Sequence, residues 1–147
     1  MSFWDWAVKA YGGAGVAEAC LSLQDEDGQN VPLLLWAVWL ASEGFGVTDS
    51  LAAEAAALAR NWSDELIMPL RTLRRRLKME LSADDEDLRL PLREKIKAIE
   101  LEAERALMTK LAALQSFVKF EADQSVKGRS AANLRAVSQT WSGIVPE

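Results

Sequence analysis

Arg71, Arg74, Arg75 and Lys78 lie in RTLRRRLK at positions i, i+3, i+4 and i+7, with Arg76 beside them. On a helix this spacing puts four cations on one face, an arrangement that can contact the phosphates of RNA or DNA. A solvated face is the competing reading, because Asp84, Asp85, Glu86 and Asp87 follow closely and a chain reversal would bring them against the cations. No RGG run, interleaved aromatic or helix-turn-helix pattern accompanies the stretch. Further along, Glu100 and Glu104 are i,i+4 neighbours flanked by Glu102. Carboxylate di-metal bundles use inward glutamates together with Glu-x-x-His pairs, and this chain has no histidine. Glu100 also lies beside the apolar stripe of its segment, so these glutamates are expected in solvent.

A second acidic group lies in LSLQDEDGQNVPLLLW, residues 21–36. With Gly28 at the sixth position of a calcium loop, Asp25 and Asp27 fall at the third and fifth. Leu23 and Leu34 then occupy the first and twelfth, where a calcium loop requires ligating side chains. A solvated turn explains more, since Asp-Gly favours chain reversal and carboxylates suit the start of the following helix. Gly12, Gly13 and Gly15 lack the GxGxxG order and follow no strand, so they too read as a turn.

The absence of histidine removes Ser-His-Asp and Cys-His catalysis and HExxH zinc sites. Cys20 is the single cysteine, so there is neither an intrachain disulfide nor a thiolate zinc site within one chain. Its surroundings, GVAEACLSL, predict a buried and inert thiol. No pair of carboxylates stands out for acid–base work on a glycoside-type substrate. No catalytic, cofactor-binding or metal-ligating residue is therefore assigned.

Six tryptophans are many for 147 residues. Trp36 and Trp39 are three apart on an apolar segment, where core packing is the ordinary role and a ligand-lined pocket the alternative. Trp4 and Trp6 are two apart, so one ring can remain exposed as part of an interaction surface.

The elements that carry these residues are helical by pattern. Ser2 can cap a helix over FWDWAVKAY; a second helix is expected from about Gly15 to Gln24; a third, Leu33 to Ser42, is apolar nearly all round and marks the core. Asn30 is placed as its cap with Pro32 in its first turn. Thr48 or Asp49 starts a fourth helix, and Ser63 a fifth that Pro69 should kink or divide near Met68. Leu70, Leu73, Leu77 and Leu81 would form its apolar edge. SADDEDLRLP reads as an acidic linker closed by Pro91, followed by a long helix whose stripe runs from Leu92 to Val118 over roughly 40 Å. After a break at Lys127-Gly128, a last helix is expected from Ser130 to Trp141. The expectation is an all-α single-domain bundle of five to seven helices. Residues 1–82 form a compact Trp-rich unit, 83–91 a linker, and 92–147 the long and last helices, packed on that unit.

FWDWAVKAY, then GVAEACLSLQDEDGQNVPLLLWAVWLASEG, then W-x6-PLRTLRRRLK from Trp62 form an ordered set over about the first 80 residues. In this the chain resembles a family of small proteobacterial proteins classed as a domain of unknown function. The resemblance implies a cytoplasmic helical protein and carries over no catalytic residue. The position of Pro32 is often polar in that family, a departure that bears on a helix start.

The net charge of -5 is uneven: residues 1–60 balance to -6 and residues 61–147 to +1. The first part should repel nucleic acid and anionic membrane. No basic n-region precedes an apolar run at the N-terminus, and the longest apolar run is too short to cross a bilayer. These features lead to a cytoplasmic, non-catalytic protein–protein interaction or adaptor module without cofactor. Its partner would be another protein or a second copy, and its expected contact residues are Arg71, Arg74, Arg75, Lys78, Trp4 and Trp6. The alternatives are a nucleic-acid-associated regulator using the Arg71–Lys78 face, and a small-molecule binder or enzyme with a Trp-lined acidic cleft.

Overall fold

A computed structural model describes residues 1–121 and 124–142 of the chain. Over these residues the protein is all-helical: α1 (Phe3–Tyr11), α2 (Val16–Asp25), α3 (Val31–Ser42), α4 (Asp49–Trp62), a π-helical turn (Ser63–Ile67), α5 (Met68–Arg76), α6 (Glu86–Ala112) and α7 (Val126–Trp141). Four helices start on a side-chain oxygen that accepts an otherwise unpaired amide: Ser2 for α1, Asn30 for α3, Thr48 for α4 and Ser125 for α7.

Helix α3 runs through the middle of the core, with Leu33, Trp36, Ala37, Leu40 and Ala41 all buried. Ala52, Ala55, Ala56 and Ala59 line the inner side of α4, and their small size lets neighbouring backbones approach. Helix α7 packs across α3 and α4 and buries Val137 and Asn133 there. The Asn133 amide donates to the carbonyls of Ala37 and Phe45, each at 3.0 Å, and its oxygen accepts the Val47 amide at 2.9 Å. One buried side chain thus ties α7 to α3 and to the loop after it. That loop begins with Gly44 at φ +88°, where the Phe45 amide donates to Leu40 O and the Gly44 amide to Ala41 O. This double closure needs a left-handed residue, and glycine adopts that conformation without a Cβ clash.

The division expected near Met68 is a widened turn. The Met68 amide reaches back five residues to Ser63 O, and Pro69 sits early in α5, where its missing N–H costs least.

The long helix is real, but its register differs from the pattern. It starts at Glu86 rather than Leu92, so Glu86–Pro91 is helical and not linker. Pro91 sits in the second turn and forfeits only the bond to the Asp87 carbonyl, which is on an exposed residue that water can reach. The preceding reversal is held by the Asp85 carboxylate, which accepts the amides of Leu81 and Ser82 at 2.8 and 3.0 Å and the Arg89 Nε at 3.1 Å. Arg89 Nη1 then donates to Leu77 O at 2.7 Å, closing α5 onto α6.

At its other end the helix stops at Ala112, so Val118 is not helical. Residues 115–120 instead run extended beside the loop after α3, with Gly46 N donating to Val118 O and Phe120 N to Gly44 O. Helix α7 starts at Val126 and passes straight through Lys127-Gly128, because Ser125 Oγ accepts the Gly128 amide. The expected apolar edge on α5 is also incomplete. Leu77 is buried and Leu70 packs on the core, whereas Leu73 and Leu81 are exposed.

Residues of α6 enter the hydrophobic core from Ala103 onward. Ahead of that point α6 lies against α5, and the two make a hairpin arm.

Candidate functional site

Between α1 and α2 on one side and the π turn, α5 and α6 on the other lies an open, mainly apolar cleft of about 1030 Å³. Trp4, Tyr11 and Cys20 stand on the first wall; Ile67, Arg71 and Glu104 on the second.

The chemistry of the second wall centres on Glu100. It is on the side of α6 that faces α5, and it is buried, contrary to its expected place in solvent. Arg74 Nε donates to Glu100 Oε2 at 2.6 Å, and Arg71 Nε donates to Oε1 at 3.2 Å. One carboxylate therefore holds two guanidiniums side by side, with charge-assisted bonds that pin both forks. Arg71 Nη2 also reaches Glu104 Oε1 at 3.4 Å, a long contact. Burial pushes the Glu100 carboxyl up, but hydrogen bonds and charge from Arg74 and Arg71 outweigh it and leave its pKa lowered. Glu104 goes the other way: burial raises its pKa, and Arg71 offsets this only in part. Burial, reinforced by the nearby Cys20, Glu104 and Glu18, likewise raises the Tyr11 phenol.

The four expected basic residues do not act as one face. Arg71 and Arg74 turn to α6 and are ion-paired, whereas Arg75 and Arg76 are exposed on α5. Lys78 lies past the end of α5 at Arg76, so helical spacing does not place it, and it is exposed. The partners of Arg71 and Arg74 are Glu100 and Glu104, not the Asp84–Asp87 group. The reason is geometric: α6 runs antiparallel to α5, so its middle, rather than its acidic start, comes level with Arg71. Trp4 and Trp6 are both half-buried. The Arg105 guanidinium sits 4.7 Å over the Trp4 ring, and Trp6 contacts Phe3, which stacks on Trp39.

The acidic turn after α2 keeps Asp25 and Asp27 exposed, with Gly28 at φ +64°. Among the described residues no three Cys, Asp or Glu side chains converge to hold a metal ion. No helix among them is long and apolar enough to cross a membrane. Cys20 is buried and its thiol pKa is raised by that burial.

Tyr11 and Asn133 carried no signal in the sequence reading. For Glu100 a signal existed, since it is four residues from Glu104 and three from Ala103 and Lys97 on an amphipathic helix. What was missing was the identity of the helix lying opposite.

These features define an all-α bundle with a pinned arginine pair at the edge of an apolar cleft. The chain belongs to the family described as "Protein of unknown function (DUF2390)", which it matches over residues 2–111. The match runs past the first 80 residues and takes in nearly all of α6, so the helix that supplies Glu100 and Glu104 is part of the family's unit. No curated protein and no solved structure matches the chain.

Proposed function

We infer that the protein is a non-catalytic protein–protein interaction module whose contact face lies on the α5–α6 arm. One observation carries this reading: Leu88, Leu92 and Ile99 are 74, 52 and 49% exposed on α6, and Leu73 is 45% exposed on α5. Positions 88, 92 and 99 are separated by four and seven residues, so the three side chains share one helix stripe. An apolar stripe left in water, interrupted by the exposed Lys95 between Leu92 and Ile99, marks a surface that another macromolecule can cover. A second copy of the chain is the first partner to test, because an amphipathic helix can cover its own equivalent about a two-fold axis. The cytoplasm is the setting that a single buried free thiol fits.

The nucleic-acid reading retains Arg75, Arg76 and Lys78 as its exposed cations, a smaller set than the sequence offered. Arg71 and Arg74 would have to leave Glu100 to serve it.

Sedimentation velocity over a range of concentrations, on the wild type and on Leu92→Glu/Ile99→Glu, tests the arm. Loss of a dimer in the double variant supports self-association. If both are monomeric, purification from the native cell after nuclease treatment should recover a protein partner with the wild type and not with the variant. The reading fails if the double variant matches the wild type in both experiments.

A further inference from the structure

The cleft beside the arm has features that protein association through Leu92 and Ile99 does not use. Glu100 orients two guanidiniums but leaves part of their donor capacity open. Among the described residues, the partner of Arg71 Nη1 is the Met68 sulfur at 3.8 Å, a weak acceptor. Arg71 Nη2 makes only the long contact to Glu104, and Arg74 Nη2 a 3.5 Å contact to Glu100. Both arginines line the cleft, as do Arg75, Glu100 and Glu104. On that wall three guanidiniums face two carboxylates, leaving one positive charge in surplus; the opposite wall adds Asp25, and Tyr11 and Cys20 are its other titratable groups. The rest of the lining is largely apolar and includes Trp4, Leu35, Ile67, Leu101 and Met108.

We propose that this cleft is a binding site for a small amphipathic carboxylate, its head on the outer N–H groups of Arg71 and Arg74 and its apolar body along Trp4, Ile67, Leu101 and Met108. The planar guanidinium fork matches a carboxylate in two parallel hydrogen bonds, and Glu100 has already oriented the fork. Arg71 and Arg74 supply local donors for one carboxylate, and because Asp25 on the opposite wall makes the lining neutral as a whole, a dianion would bring a second charge out of water without a partner. Glu104 competes with the ligand for Arg71. The carboxylate of the ligand displaces the weak Glu104 contact and leaves the two Glu100 bonds in place. Nothing in this site requires the arm to be covered, so it stands or falls apart from the interaction reading.

Isothermal titration with decanoate, with 1-decanol and butyrate as controls, tests the proposal. Decanoate should bind at one site per chain, at least about tenfold more tightly than either control, since one good charge-assisted contact is worth about that factor. Glu104→Gln should tighten decanoate binding, because it frees Arg71, whereas Arg71→Gln should weaken it about tenfold or more. As Arg71→Gln also breaks the ion pair with Glu100, Leu101→Glu, at a 56% exposed position in the cleft, provides a second block that spares the core. Leu92→Glu on the arm should leave binding unchanged. The proposal is overturned if decanoate binds no better than 1-decanol. It is equally overturned if Leu101→Glu and Glu104→Gln leave the affinity unaltered, or if Leu92→Glu abolishes binding.

Discussion

Between Arg71 and Arg74 the Glu100 carboxylate is held below its ordinary pKa, and this makes it a determinant of acid stability. Because its folded pKa is lowered, its contribution is complete above the ordinary carboxyl value of 4.5 and is lost as pH falls through the folded value. Glu100→Gln should cost about 2 kcal/mol at pH 7, since two guanidiniums lose their charged partner, and should flatten the acid limb of the stability curve. Urea unfolding between pH 3 and 7 measures both. Glu104 has the opposite sign. Its folded pKa is raised above 4.5, so the folded state binds that proton more tightly, and stability falls as pH rises from 4.5 through the raised value. Glu104→Gln should remove that decline, and the same urea series detects it. Asn133 shows a third kind of dependence. Asn133→Leu leaves the Ala37 and Phe45 carbonyls and the Val47 amide without their partner, and should cost about 3 kcal/mol even though it adds apolar volume.

At the scale of elements, helix starts were legible because they depend on near neighbours. Asn30 and Thr48 cap the helices that their positions announced, and Pro32 sits in a first turn as its fixed φ requires. Thr48→Ala should cost about 1 kcal/mol, read as a lowered melting temperature. Gly44→Ala should cost a similar amount, because alanine at φ +88° strains the closure after α3. Helix ends beyond residue 80 were less legible. Pro91 looked like a stop, yet the Asp85 bonds to Leu81, Ser82 and Arg89 start α6 six residues earlier than the apolar stripe suggested. The stripe itself continued to Val118 by spacing, but strand-like pairing with Gly44–Gly46 competes there and wins. Pro91→Ala should restore one bond, to the exposed Asp87 carbonyl, and raise stability by about 1 kcal/mol, the sign expected for a proline past the first turn.

For the molecule as a whole, α3 at the centre, the helical class and the absence of any histidine-based chemistry could all be read from residue order and type. These follow from local periodicity and composition, which need no knowledge of what lies across the core. The partners of the arginines could not be read, nor which leucines of α5 and α6 stay in water. Both depend on how two helices lie against each other, and a slip of one residue turns a side chain through about 100°. Only the packed hairpin decided that Glu100 faces Arg71 and Arg74 across a cleft wall while Leu92 and Ile99 face out. Side-chain spacing describes one helix at a time, whereas a site is made where two of them meet.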